Sequence, residues 1–253
     1  MFDRSYDCAV IGHSHAARLA AVHRDMEARL GGTAGFPRYR FGLLQNLPRS
    51  SEQASRVAPR EVVRDIFAAA MPDVVVTILF GNAHNLWGLP QHPRPFDFFL
   101  PGETAAEPLP GAEIIPYGLM KKALSAAVVQ QSLPILSDVR ALGPDVPLRF
   151  LAPPPPVPDE TFLMRHAKTF GAQFAEHGIS PAPLRHKFWR LYLDILGDLA
   201  SGLDAAVIPV PERAIDADGY LASGYWSDVT HGNESYYALV LESIDSLARS
   251  LAR

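Results

Sequence analysis

The stretch Asp7-Cys8-Ala9-Val10-Ile11-Gly12-His13-Ser14-His15-Ala16-Ala17-Arg18-Leu19 decides the fold. A short apolar run closes on a glycine, and a helical pattern opens at once after a serine. The reading is a strand over Tyr6–Ile11, a tight turn, and a helix. Ala16, Leu19, Val22, Met26 and Leu30 recur at steps of three and four and so form one buried face. Gly31-Gly32 stops that helix. In a parallel α/β sheet such a turn sits at the carboxyl end of the strand, where these folds keep their ligand sites. Ser14 then lies near the amino end of a helix, where unpaired amides and the helix dipole favour negative charge. Two readings of it are open: a helix cap or a nucleophile.

Further along the chain, strands and helices alternate. Arg38–Leu44 is a second, poorly defined strand, and Asn46–Ser51 is loop chemistry. Pro59–Met71 reads as a helix with proline in its first turn. Val74–Phe80 is β-branched and apolar on both faces, as a central parallel strand covered on both sides requires; it ends in Gly81-Asn82-Ala83-His84-Asn85. Residues 86–115 are rich in Pro, Gly and Phe without a sustained period, and read either as a lid or binding loop or as a surface excursion with one short hairpin. Pro116–Leu142 is helical, and Leu148–Ala152 is a short strand. The run Pro153–Pro156 lacks sheet donors and leaves as an extended segment. Helical patterns near Asp159–His177 and Leu184–Leu203 precede a last strand, Ala205–Val210. A closing helix runs from about Glu234 to Ala252, with Tyr237, Val240, Leu241, Ile244, Leu247 and Leu251 on its apolar face. The alternation predicts a single domain over 1–253, with an irregular insertion at about 86–115 and a helical one at about 158–203. Its expected architecture is an α/β/α sandwich around a mostly parallel sheet of roughly five strands, flavodoxin-like in class.

Composition narrows the function. The 253 residues are 48% hydrophobic and 20% charged, with a net charge of −4 and no basic stripe, which argues against nucleic acid as a partner. The single cysteine, Cys8, sits inside the first strand, so no intramolecular disulfide forms and it reads as a small buried hydrophobe. The amino terminus shows no basic-then-apolar leader and no run is long enough to span a bilayer, so a cytoplasmic, soluble protein is the expectation. No Gly-x-Gly-x-x-Gly follows the first strand and no P-loop is present; no cofactor is expected. The sequence sets no oligomeric state.

A serine hydroxyl needs a base in hydrogen-bond reach, itself oriented by a carboxylate. Asp228-Val229-Thr230-His231 offers both: across a three-residue turn the Asp228 carboxylate can take the Nδ1 proton of His231 and leave Nε2 facing Ser14. The pair precedes the final helix, on a loop after the last strand, so it belongs to the same rim of the sheet as Ser14. For an oxyanion, the candidate donors are the backbone N–H of Ser14 and the side-chain amide of Asn82.

These residues resemble the SGNH (GDSL-like) hydrolase superfamily. The resemblance rests on Gly12-His13-Ser14-His15 after the first strand, Gly81-Asn82 after a central strand, and Asp228-x-x-His231 near the carboxyl end. It implies an α/β/α sandwich in which Ser14 is the nucleophile, Asn82 an oxyanion donor, and Asp228 and His231 the rest of a triad. It implies an esterase, lipase, carbohydrate O-deacetylase or acyltransferase activity. His13 stands where the family has aspartate, His15 where it has leucine, and Ala83 where an aspartate often follows the asparagine. For the family's second-block glycine, Gly42 is taken as the oxyanion donor, with Gly35 the alternative.

The expected activity is a serine-dependent hydrolysis of a carboxylic ester, with O-deacetylation of a carbohydrate-like substrate preferred. O-acyl transfer, or non-catalytic binding of a glycan or metabolite at the same rim, is the alternative. The substrate is therefore a small-molecule or glycan ester. His13, His15, His84, Trp87 and Trp226 are candidate substrate contacts, although aromatic packing in loops explains the tryptophans equally. A metal site built from His13, His15, His84 and His231 lacks any compact ligand spacing, so no metal is assigned. Trp189 reads as core, and His166, His177 and His186 as solvent-side residues.

Overall fold

The structure, a computed structural model, describes residues 6–30, 38–44, 59–79, 83–103 and 107–251. Gly35, Phe80, Gly81, Asn82, the Asn46–Ser51 loop and Ala252 therefore lie outside the described residues, as does the side chain of Leu30. In chain order the main elements are β1 (Asp7–Gly12), α1 (Ser14–Leu30), β2 (Arg38–Leu43), α2 (Pro59–Ala69), β3 (Val74–Ile78), α3 (Ala83–Gly88), β4 (Phe96–Asp97), β5 (Glu113–Ile114), α4 (Tyr117–Leu142), β6 (Leu148–Leu151), α5 (Glu160–Arg165), α6 (Gly171–His177), α7 (Ala182–Gly202), β7 (Ala205–Ile208) and α8 (Glu234–Leu251). The five longer strands form one parallel sheet in the order β2-β1-β3-β6-β7. The sheet has helices on both faces, the α/β/α architecture expected of the sequence.

Side-chain alternation along β1 and β3 assigns the two faces. Cys8 and Val10 of β1, with Val74, Val76 and Ile78 of β3, pack with Leu19 of α1 and Val240 and Ile244 of α8. Ala9 and Ile11, with Val75, pack instead with Val63 and Phe67 of α2, Leu124 and Leu136 of α4, and Phe188 and Leu191 of α7. Every residue of β3 is buried, as its apolar run predicts for a central strand. On α8 the expected face is buried as far as Ile244, while Leu251 is exposed at the helix end.

Within 86–115 the two short strands β4 and β5 pair in parallel, so the short hairpin of one reading is not formed. The segment is anchored by Asp97, which is fully buried and receives Lys187 Nζ from α7 at 2.8 and 2.9 Å and the amide of Leu109 at 3.0 Å. Phe98 packs edge-on to Phe188, with centroids 5.2 Å apart. A stretch without hydrophobic period is thus held by a buried ion pair and a few aromatic anchors.

The helical pattern at Asp159–His177 is broken in the structure. Asp159 caps α5 by accepting from the Phe162 amide, and the helix ends at Arg165. Lys168 adopts a φ of 47°, a region that non-glycine residues rarely enter, before the chain continues into α6. His166 stacks on Phe162, and His186 on Trp189, with centroids 4.0 and 5.5 Å apart. The solvent-side expectation for these two histidines is corrected: each covers an aromatic ring. Trp189 is buried as expected and donates to the Pro153 carbonyl at 3.0 Å, fixing the extended proline run.

Candidate active site

Ser14 opens α1 directly after β1, and Gly12 is what lets it do so. A Cβ on Gly12 would lie 2.8 Å from the Ile78 carbonyl oxygen and 3.2 Å from Ala16 Cβ, so only glycine lets β1 end this close to β3 while α1 starts beside it. The Leu44 amide donates to the Gly12 carbonyl at 2.8 Å, and His13 Nδ1 donates to the Leu44 carbonyl at 2.9 Å. The turn is thereby tied to the end of β2. Burial lowers the pKa of the His13 imidazole, partly offset by the Leu44 carbonyl.

The segment bearing Asp228 and His231 lies between β7 and α8. An isolated bridge between Trp226 and Gly232 closes it, and Val229 buries its side chain. Asn233 accepts from the Tyr236 amide at 3.1 Å, a cap that begins α8, and its Nδ2 donates to the Gly224 carbonyl at 2.8 Å. These contacts fix the loop at both ends.

The two segments meet at the rim. Ser14 Oγ lies 2.8 Å from His231 Nε2, and His231 Nδ1 lies 2.9 Å from Asp228 Oδ1. Asp228 is 1% exposed. Its Oδ1 also accepts from the amides of Thr230 and His231 at 3.0 and 2.9 Å, and its Oδ2 accepts from Lys168 Nζ at 2.6 Å and Arg18 Nη2 at 3.2 Å. Burial works to raise the pKa of this carboxyl. The hydrogen bonds from His231 and Lys168 and the charge beside it outweigh burial and hold the group well below the usual carboxylate range. It is an ionised hydrogen-bond acceptor at any ordinary pH.

The other expected residues divide. His15 is buried, shares a 2.8 Å hydrogen bond with the Tyr237 hydroxyl, and lies with its ring against that of His231. Burial, and then the neighbouring His231, hold its imidazole well below the usual histidine range. His84 is buried on α3 with its ring centroid 5.0 Å from that of Tyr192, and burial pushes its pKa down to about 3. Substrate contact by these two is corrected: both are neutral interior groups behind the site. Trp87 is 40% exposed, while Trp226 is half-buried, donates to the Leu221 carbonyl at 2.6 Å and faces Phe162. Gly42 lies inside β2 opposite Ile11, where a Cβ would meet Ile66 Cδ1 at 2.4 Å. Close packing of α2 on the sheet accounts for glycine at this position.

An α-helix leaves its first amides without intrahelical partners, and Ser14 is the first residue of α1. The first turn of α1 carries no acidic side chain to compete with an anion. Among the described residues no group of three or more His, Cys, Asp and Glu could hold a metal ion, and no helix is long and apolar enough to cross a membrane. A groove of about 620 Å³ between β7 and α8 contains none of Ser14, Asp228 or His231. We give it no role in the chemistry proposed for Ser14, since none of these three residues lines it.

Sequence reasoning missed Arg18 and Lys168. Arg18 follows Ser14 by four residues on one helix face, a spacing that places it at the same rim. Lys168 carries no such signal, because its placement depends on the break between α5 and α6.

No protein-family model matches the chain, and no curated protein matches it in sequence. Solved structures do match. The periplasmic domain of a lipopolysaccharide acetyltransferase from Salmonella ser. Paratyphi A superposes over 97% of this chain and 84% of its own, with a TM-score of 0.52 and 12% identity. A GDSL-like lipase from Bacteroides thetaiotaomicron covers 97% of this chain and 89% of its own, with a TM-score of 0.48 and 10% identity. A family 3 carbohydrate esterase from Clostridium thermocellum covers 99% and 100%, with a TM-score of 0.41 and 12% identity. In fold the chain is an α/β/α sandwich around a parallel five-stranded sheet, similar to that acetyltransferase domain.

Proposed function

We propose that the chain is a serine-dependent carboxylic ester hydrolase acting through Ser14, His231 and Asp228. The observation that carries this is the continuous hydrogen-bonded path from Ser14 Oγ through His231 to Asp228 Oδ1, with steps of 2.8 and 2.9 Å. As Ser14 Oγ forms its bond to the acyl carbon, its proton passes to His231 Nε2, and Asp228 stabilises the imidazolium. The oxyanion forms beside the N–H groups opening α1; one well-placed donor there contributes about 3 kcal/mol to such a step. Collapse breaks the bond to the alcohol, which leaves with the proton from His231. Water, deprotonated by the same imidazole, then releases the acid and restores Ser14. Asn82 is proposed as a second oxyanion donor.

The substrate class we propose is a short acyl ester of a carbohydrate-like alcohol. The exposed Trp87 supports it as a face on which a sugar can stack. Acyl transfer to an alcohol uses the same steps with the alcohol replacing water, and the fold shared with an acetyltransferase domain brings that reading into the test. Hydrolysis of p-nitrophenyl acetate by the wild type, lost in Ser14→Ala together with labelling by a fluorophosphonate, is the expected result. Equal activity or equal inertness of the two proteins overturns the proposal. Adding a polyol acceptor separates transfer from hydrolysis by the acetylated product.

A further inference from the structure

We propose that Arg18 and Lys168 act as a two-cation clamp on Asp228, positioning residues that fix the carboxylate and tune the charge it presents to His231. This deepens, and rests on, the reading of Ser14, His231 and Asp228 as a catalytic triad.

The two oxygens of Asp228 divide their partners. Oδ1 takes His231 Nδ1, the amides of Thr230 and His231, and at 3.4 Å the Thr230 hydroxyl. That set faces the imidazole, and the Thr230 hydroxyl itself lies 2.9 Å from His231 Nδ1. Oδ2 takes only cations, Lys168 at 2.6 Å and Arg18 at 3.2 Å, and Arg18 Nη1 also reaches Ser227 Oγ at 3.4 Å. A carboxylate buried to this degree needs partners to stay ionised, but the hydrogen bonds on Oδ1 already supply several. Two further cations exceed what holding one charge requires.

The chain commits backbone strain to this contact. Lys168 stands at a φ of 47° in the break between α5 and α6, sixty positions from Asp228 in sequence. The same segment touches the catalytic loop a second time, where the Phe162 ring lies 5.0 Å from that of Trp226. One ion pair and one aromatic contact thus dock this helical segment on the loop that carries the base.

The groups facing the Asp228–His231 pair can be named element by element. From α1 come His15 and Arg18, from the α5–α6 break Lys168, from the loop itself Thr230, and from α8 Tyr237. Burial keeps His15 neutral and Tyr237 un-ionised. Arg18 and Lys168 are therefore the two cationic side chains in the set. Each withdraws part of the carboxylate's charge from His231, so the imidazolium is stabilised less than Asp228 alone would stabilise it. The clamp holds Oδ1 in line with Nδ1.

The test uses Lys168→Met, Lys168→Arg and Arg18→Met in the full chain. Lys168 and Arg18 have side chains 56% and 39% exposed, so the Met variants are expected to fold with only a modest drop in melting temperature. In both Met variants the acid limb of kcat/KM for p-nitrophenyl acetate moves to higher pH by about half a unit or more, as loss of a nearby cation demands. KM stays within about twofold, since neither side chain touches substrate, and Lys168→Arg restores the wild-type limb. The low-field NMR signal of the His231 Nδ1 proton reports the bond to Asp228 without any turnover, and it shifts in the Met variants alone. An unchanged limb and unchanged signal in both Met variants overturn the clamp. So does activity that falls only in step with melting temperature. An inert wild type whose low-field signal still responds to Lys168→Met overturns the esterase reading and leaves the clamp standing.

Discussion

The imidazole of His15 lies against that of His231, with ring centroids 4.5 Å apart and planes tilted by 42°. His15 Nδ1 is held by Tyr237, while Nε2 is buried with no hydrogen-bond partner among the described residues. A buried unpaired nitrogen costs about 1–3 kcal/mol, so an apolar side chain would be cheaper if filling space were the sole task. What the ring supplies is a flat, neutral wall that stops His231 from swinging away from Ser14. His15→Ala removes the wall and strands the Tyr237 hydroxyl. Urea titration is expected to show a loss of about 2–4 kcal/mol, and kcat is expected to fall at least tenfold with KM little changed. Tyr237→Phe, which keeps the wall, should lose stability but retain most of kcat.

Asp228 makes stability depend on pH in a definite direction. Its carboxyl is held below its ordinary value in the folded chain, so the stability it contributes is present above the ordinary carboxylate range. That stability is lost progressively as pH falls from about 4. Asp245 works the other way, because burial raises its carboxyl despite the Tyr39 and Tyr6 hydroxyls. Comparing wild type with Asp228→Asn isolates the first effect. The variant should be less stable at pH 7 by about 1–3 kcal/mol, a modest figure because Arg18 and Lys168 can reach water. The gap should narrow steadily below pH 4. Urea midpoints measured from pH 2 to 7 check this; a constant gap would contradict it.

Asp97 and Lys187 hold residues 86–115 on the body of the protein. Asp97 is fully buried and the Lys187 side chain 11% exposed, so breaking the pair leaves a stranded charge. Asp97→Ala is expected to cost about 3–5 kcal/mol, while the double variant Asp97→Leu/Lys187→Met should recover most of that loss. A double-mutant cycle in urea measures the coupling. The same cycle followed by protease nicking within 86–115 shows whether this pair is the anchor.

The parallel sheet was readable because β1, β3 and α1 bury faces whose spacing is written in single residues. Val74–Ile78 can be nothing but a covered strand, and Leu19 and Val22 lie where a helical step puts them. The meeting of Ser14 with Asp228 and His231 was readable for a related reason: parallel topology sends every strand's carboxyl end to one rim. What was not readable depends on contacts between segments distant in sequence. Lys168 reaches Asp228 only because α5 stops at Arg165, and Gly42 turned out to sit under Ile66, which no local pattern around it announces. His15 and His84 carried the residue type of a surface ligand but the burial of core, and sequence alone records the first and not the second.

Gly12 places Ser14, and its substitution gives the sharpest test of that geometry. A Cβ there would meet the Ile78 carbonyl oxygen at 2.8 Å and Ala16 Cβ at 3.2 Å. Neither neighbour is a flexible side-chain end. Gly12 pairs with Leu43 on one side and Ile78 on the other, and its own carbonyl accepts from Leu44, so relief must come from the turn that leads to Ser14. Overpacking of this kind costs about 1–3 kcal/mol. Since Ser14 follows by two residues, the shift falls on the 2.8 Å contact with His231 Nε2. Gly12→Ala should therefore label with a fluorophosphonate at least tenfold more slowly while remaining folded. Gly197→Ala serves as the control: it lies within α7 with nothing within 4 Å of an added Cβ. That change should stabilise by about 0.5–1 kcal/mol and leave labelling unaltered. If Gly12→Ala labels as fast as wild type, the tight β1–α1 turn is not what sets Ser14 against His231.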